Sequence, residues 1–395
     1  MLPASDAVTE TEEAPRILHI ITGLDTGGAE RSLVRLLQAA PELRARAHVI
    51  SLLGEGALAP EIRSLGVPLQ SLNLRRGGLP VGGIRALRQL VRELCPDVVL
   101  GWMYHGNIAA SLAALGVRGA PPVLWGIRNA LHGLDRERRS TRLVIRGGAL
   151  LGWQPRYILY NSQRSRSQHE RIGYPQARGM VIPNSFDTLR FRPDAVARIG
   201  IRRELGVTDD TPLLGVVARF DPLKDFSTLV TAAGQLARSA PSVRWVLAGR
   251  GVERSNPAFA ALLTDEHVNS RIFALGDRSD VERVMAALDV LVQPSLSEAL
   301  PNSVGEAMAC GVPCLVTDVG DSAILVGDTG RVVPPRSPDA LAHAAAAMLA
   351  LDPAVRRALG ERARQRVSSD YSANAMVTRY LDVIRRVIAP ARQSH

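Results

Sequence analysis

Two glutamates, Glu298 and Glu306, lie eight residues apart in Ser297-Glu298-Ala299-Leu300-Pro301-Asn302-Ser303-Val304-Gly305-Glu306. An apolar run, 290–293, precedes this segment and reads as a buried strand. Glu298 therefore falls in a strand-to-helix loop, Pro301 suits the first helical turn, and Glu306 lies about one and a half turns inside the helix. Free amides at such a helix start, beside Leu300, Pro301 and Asn302, can hold a diphosphate. A carboxylate flanked by Gly305, Ala307, Met308 and Ala309 needs a polar partner. The two vicinal hydroxyls of a ribose supply two donors to one carboxylate.

Anions need cations. Arg219 ends the apolar run 213–219 and Lys224 follows five residues later, opening the next helix in Ala218-Arg219-Phe220-Asp221-Pro222-Leu223-Lys224-Asp225. A planar guanidinium fork and a compact ammonium are complementary ways to neutralise phosphate oxygens. Surface pairing of Lys224 with Asp221 or Asp225 is the alternative. Lys224 is the only lysine among 48 basic residues. Gly27 and Gly28 stand where the first strand turns into a helix, so backbone amides there can approach a ligand closely; a ligand-free tight turn reads equally well.

These groups are carried by a chain of 395 residues, 46% hydrophobic and 22% charged, which excludes disorder over most of its length. Aromatics at 4% argue against nucleic-acid binding by base stacking. Three cysteines, Cys95, Cys310 and Cys314, are too few for a disulfide framework and lack the partners of a zinc site. No secretory signal and no run of about 18 apolar residues is present, so a cytoplasmic address is expected. The chain lacks G-x-G-x-x-G after its first strand, a P-loop, and any D-x-D pair to hold a metal on a diphosphate. Charge is uneven: residues 1–190 hold 24 Arg against 15 acids, and residues 191–395 hold 24 basic residues against 23 acids. The first half is thus expected to meet something anionic.

The elements needed to position the site follow from periodicity. Strands are expected at 16–21, 48–53, 97–102, 122–126, 157–160 and 180–182, with helices at 29–40, 81–94, 107–115 and 162–172. A polar stretch, 183–194, reads as a linker. Strands then recur at 213–219, 244–248, 271–275, 290–293 and 314–317, with helices at 226–238, 280–288, 303–310, 338–351 and 353–367. The fold class is α/β, with two doubly wound parallel-sheet domains facing a central cleft. The expected organisation is a disordered tail at 1–14, a Rossmann-like acceptor domain at 15–187, a Rossmann-like donor domain at 188–371, and a C-terminal helix at 372–395 that crosses back to the first domain.

Taken together, GGAE, ARFDPLK, SEALPNSVGEAMACGVPCLVTDVG and IPNSFD resemble the family 4 retaining glycosyltransferases of GT-B fold. The resemblance spans about residues 15–390. It implies a metal-independent transferase that needs no cofactor and uses a UDP- or GDP-sugar as substrate. By resemblance, Arg219 and Lys224 hold the donor phosphates, Glu298 contacts the transferred sugar and Glu306 binds the ribose. The backbone at Leu300, Pro301 and Asn302 lies against the β-phosphate and sugar, and Gly27 and Gly28 approach the phosphates. Gly249 and Arg278 line the nucleotide pocket. The leaving phosphate helps to deprotonate the acceptor hydroxyl.

One departure from the family pattern concerns Arg128. Many members carry a histidine where this chain reads Trp125-Gly126-Ile127-Arg128-Asn129. A guanidinium cannot act as a base, though it can hold an anion or the leaving-group charge. His105, at the end of the preceding strand, is a candidate imidazole, and His132 a weaker one. The segment 135–146 holds five arginines and precedes an apolar run. It suggests an anionic inner-membrane surface as a partner, peripheral attachment there, and a glycan or polyprenyl- or lipid-linked acceptor of surface polysaccharide or glycolipid synthesis. A nucleotide-sugar 2-epimerase and a non-catalytic nucleotide-sugar binding protein are the alternatives.

Overall fold

The computed structural model describes residues 14–25, 27–75, 78–131, 134 and 138–392. Most of the expected N-terminal tail (1–13) lies outside these residues. So do Thr26, His132 and positions 135–137 of the basic segment.

Two parallel sheets carry the fold. The first has seven strands: β1 Ile17–Ile21, β2 Ala47–Ser51, β3 Leu69–Ser71, β4 Val98–Trp102, β5 Val123–Ile127, β6 Tyr157–Tyr160 and β7 Gly179–Val181. Their order is β3-β2-β1-β4-β5-β6-β7. The second has six: β8 Leu213–Val217, β9 Arg244–Ala248, β10 Ile272–Ala274, β11 Val290–Gln293, β12 Cys314–Thr317 and β13 Arg331–Val333, in the order β10-β9-β8-β11-β12-β13. Strands β1, β4, β5, β11 and β12 are buried along their whole length. Apolar runs buried on both faces, with helical crossovers, give parallel pairing and the doubly wound order.

Contacts divide the chain into two compact units. One runs to Gly126 and adds Arg138–Ile158 and the chain from Tyr380; the other holds Leu159–Arg379 and the segment from Ile127. The last helix, Ala373–Arg392, contributes to both, and its Tyr380 stacks on Trp102 at 6.4 Å between ring centroids.

Three local expectations need correction. The helix after β4 starts at Met103, not at 107, and Met103 has φ +63°. Asn107 anchors that early start, since its side chain exchanges hydrogen bonds of 3.2 and 3.3 Å with the backbone of Gly126 on β5. Lys224 does not open a helix. It closes a short turn, Pro222–Lys224, and the helix Phe226–Ser239 starts after Asp225, whose carboxylate caps it at Thr228. The polar stretch 183–194 is more than a linker, because Phe186 and Phe191 are buried in the core of the second unit. All three cysteines are free.

Candidate active site

The site in the second unit is built at the carboxyl ends of β8, β11 and β12. Leu296 donates its amide to Leu223 O at 2.8 Å, which brings the turn carrying Lys224 against the loop after β11. Lys224 Nζ then pairs with Glu298 Oε1. The same oxygen accepts from Gln293 Nε2 at 3.1 Å and Ser295 Oγ at 2.8 Å. Gln293 is held in turn by Ser322 Oγ at 3.3 Å, and Thr317 Oγ1 fixes Ser295 O at 2.6 Å. Among the described residues no hydrogen bond reaches Glu298 Oε2. One oxygen is thus fixed and the other is left for a ligand.

A cavity of about 210 Å³ opens beside this carboxylate, lined by Arg164, Gln168, Leu223, Leu296, Ser297, Glu298, Asp318, Val319, Gly320 and Arg336. Gly320 is required by geometry. It has φ +60°, and a Cβ there would lie 2.4 Å from Glu298 O. Asp321 continues the clamp: its amide donates to Ala299 O at 2.8 Å, and its buried carboxylate accepts from the amides of Gln163 and Arg164 at 2.7 and 2.9 Å. That carboxylate caps the helix carrying Arg164 and Gln168. Arg336 sits in the left-handed region at φ +57°, a conformation that non-glycine residues hold at some cost.

The other expected residues fall as follows. Leu300 is buried in the core, and Pro301 is the N-cap of the helix Asn302–Ala309, whose first amides donate to no side-chain cap. Asn184 Nδ2 reaches Asn302 Oδ1 at 3.4 Å, so the IPNSFD segment packs on this helix start. Glu306 is half-buried on the same helix. Gly249 has φ +144°, and a Cβ would lie 2.1 Å from Ala218 O, next to Arg219. Arg219 itself is exposed and pairs with Asp221 at 3.1 Å, outside the lining of the Glu298 cavity. Arg278 also lies outside that lining. Its hydrogen bonds to Asp280 and then Glu204 raise its pKa and occupy its guanidinium. Arg128 is buried and donates to Ile182 O at 2.6 Å; burial lowers its pKa to about 9, which leaves it charged at neutral pH. Sequence reasoning missed Arg164, Gln168 and Arg336, which come from segments that carry no recognisable spacing, and gave no role to Asp318, which lies near the end of the SEALPNSVGEAMACGVPCLVTDVG segment.

The first unit holds its own cavity, of about 410 Å³. His105, Thr22, Asp25 and Glu30 give it polar groups; Leu52, Leu53, Leu74, Leu79, Ile108 and Val144 give it apolar walls. Burial lowers the His105 pKa below its ordinary 6.5, so the imidazole is neutral at pH 7. Its Nε2 has no hydrogen-bond partner among the described residues. Burial, and secondarily the charge of Asp25, raises the Glu30 pKa. Gly27 caps the helix Gly28–Ala39, and a side chain there would meet the Glu30 carboxylate.

The profile described as "Glycosyltransferase Family 4" matches residues 26–190, and that described as "Glycosyl transferases group 1" matches residues 211–350. The chain belongs to the family 4 glycosyltransferases. This transferase is 26% identical over 317 residues to the putative glycosyltransferase EpsF of Bacillus subtilis, covering 77% of this chain and 79% of that protein. It is 28% identical over 316 residues to a GDP-mannose-dependent monoacylated alpha-(1-6)-phosphatidylinositol monomannoside mannosyltransferase of Corynebacterium glutamicum, covering 76% and 79%. Its fold is GT-B: the crystal structure of Anabaena HepE in complex with UDP superposes with a TM-score of 0.82 at 22% identity, over 94% of this chain and all of that one. Among the described residues no helix of the transferase is long and apolar enough to cross a membrane.

Proposed function

We propose that this glycosyltransferase moves a sugar, with retention and without a metal ion or separate cofactor, from a UDP- or GDP-sugar to a lipid-linked or glycan acceptor. The observation that carries the reading is the Glu298 carboxylate, held at Oε1 by Lys224, Gln293 and Ser295 and open at Oε2. Fixed in this way, Glu298 can accept from a hydroxyl of the transferred sugar without reorganising. Lys224 and the amides from Asn302 onward neutralise the donor phosphates, and Glu306 takes the ribose. Arg164 and Arg336 add two guanidinium groups to the same pocket. The acceptor occupies the cavity of the first unit, where neutral His105 receives or orients the proton of its reacting hydroxyl.

The acceptor class rests on the mixed lining of that cavity and on the basic first half of the sequence. The Corynebacterium relative acts on a glycolipid by its name, which agrees. Peripheral attachment at the cytoplasmic face of the membrane is part of this reading.

A thermal-shift panel of nucleoside-diphosphate sugars tests it, because a ligand that binds only the native state raises its melting point. One nucleotide sugar should stabilise the protein by several degrees. A flat panel contradicts the reading.

A further inference from the structure

The helix Arg139–Leu151 has two faces with different chemistry. One contributes Ser140, Thr141 and Val144 to the cavity that also holds His105. The other leaves Leu143 69% and Leu150 80% exposed, and Trp153, two residues past the helix end, is 61% exposed. Arg139, Leu143, Arg146 and Leu150 follow one another at steps of four, three and four, which places them on one stripe. Neither Arg139 nor Arg146 forms an ion pair among the described residues. No acidic residue occurs between Glu137 and Glu170, while seven arginines do, among them Arg138, Arg139, Arg142, Arg146 and Arg156.

Apolar side chains this exposed gain nothing from water, and their interleaving with unneutralised arginines is the pattern of a helix lying in a bilayer interface. Leucine reaches the acyl boundary, tryptophan prefers the interface itself, and arginine meets lipid phosphates. An arginine-rich segment without acidic residues is complementary to anionic headgroups and not to zwitterionic ones.

We propose that this stripe, with Trp153, docks the protein on an anionic phospholipid bilayer, and that the cavity on the other face of the same helix receives the head of an acceptor whose lipid tail stays in that bilayer. The second clause rests on the transferase reading above. The docking clause does not. One helix then serves as membrane contact and as cavity wall.

The test uses the full-length protein with vesicles of phosphatidylglycerol and phosphatidylcholine mixed, or of phosphatidylcholine alone. Of four tryptophans, Trp102, Trp125 and Trp245 are buried, so a change in emission reports Trp153. Anionic vesicles should cosediment the protein at least about tenfold better than neutral ones and shift tryptophan emission to the blue. The shift should vanish in Trp153→Phe. The triple variant Leu143→Gln, Leu150→Gln, Trp153→Gln should lose vesicle binding while keeping its melting temperature. Arg139→Gln with Arg146→Gln should lose the preference for anionic lipid. Equal binding to both vesicle types, or unchanged binding by the triple variant, overturns the docking. So does a dimer in wild type that the triple variant abolishes, because the stripe would then be covered by a second copy. Failure of the transferase reading shows separately, as the absence of a thermal shift with any nucleotide sugar in lipid-free buffer.

Discussion

Lys224 Nζ meets Glu298 Oε1, an oxygen that also accepts from Gln293 and Ser295, across a sequence separation of 74 residues. The ammonium therefore fixes the carboxylate, in addition to the phosphate contact proposed for it. Removing it should cost twice, in carboxylate order and in donor charge. Lys224→Ala is expected to lower donor kcat/KM about 100-fold, on the scale of a lost hydrogen bond to a charged group. Lys224→Arg should not restore it, since a planar fork does not replace a point charge in a site 21% exposed. Steady-state kinetics and calorimetry with the stabilising donor check both.

Gly320→Ala should disable the site without removing any of its charged or polar side chains. A methyl there lies 2.4 Å from Glu298 O and forces a left-handed residue. The expected loss is about 1–3 kcal/mol of stability, with donor affinity falling further than the stability loss explains. Denaturant unfolding and donor titration on the same protein separate the two.

Arg336 separates binding from folding in the opposite sense. Glycine relieves its left-handed backbone while removing the guanidinium, so Arg336→Gly should leave stability within about 1 kcal/mol of wild type. Donor affinity should fall about tenfold, as for one lost charge-assisted contact. Unchanged affinity removes Arg336 from the donor site.

His105 should act as a neutral base. Burial lowers its pKa, so kcat/KM is expected to hold from neutral pH down to about 6.5 and to fall only below it. His105→Asn should reduce transfer about 100-fold or more, abolish that acidic limb and leave donor binding intact. A retained limb assigns it to another group.

Two buried histidines predict acid sensitivity of the fold. His19 and His169 are fully buried, and burial lowers their pKa values to about 3 and about 4, against a weaker opposing effect of Ser165 O on His169. The unfolded chain binds their protons from about pH 6.5 downward and the folded chain does not. Each histidine should therefore remove about 1.4 kcal/mol of stability per pH unit between 6.5 and its folded pKa. His169→Gln, which can still bond Ser165 O, should flatten the slope of melting temperature against pH by one histidine's share.

The doubly wound architecture was legible in the sequence because buried parallel strands write continuous apolar runs. Of the four three-residue edge strands, β7 (Gly-Met-Val) and β10 (Ile-Phe-Ala) still read as apolar runs, whereas β3 (Leu-Gln-Ser) and β13 (Arg-Val-Val) carry polar residues and were missed. The helix start at Met103 was missed for another reason. A strand that passes directly into a helix leaves no turn signal, and Asn107 supports it through a bond to another strand. In the site, Glu298, Lys224 and the helix start at Asn302 were visible because their spacing is local. The Lys224–Glu298 contact, the Asp321 cap and the Arg164 and Arg336 lining depend on tertiary placement, which spacing does not encode. Arg219 and Arg278 mark the converse: cations in the right segments whose partners, Asp221, Asp280 and Glu204, are decided by the fold.

The most direct test of the account compares wild type with Glu298→Gln for donor binding and for acceptor-dependent release of nucleotide. Glutamine keeps the shape and can still accept from Lys224. Wild type should release nucleotide only when acceptor is present, and Glu298→Gln should bind donor within about tenfold of wild type while its turnover falls at least about 100-fold. Turnover by Glu298→Gln at the wild-type rate would contradict the central role given to that carboxylate.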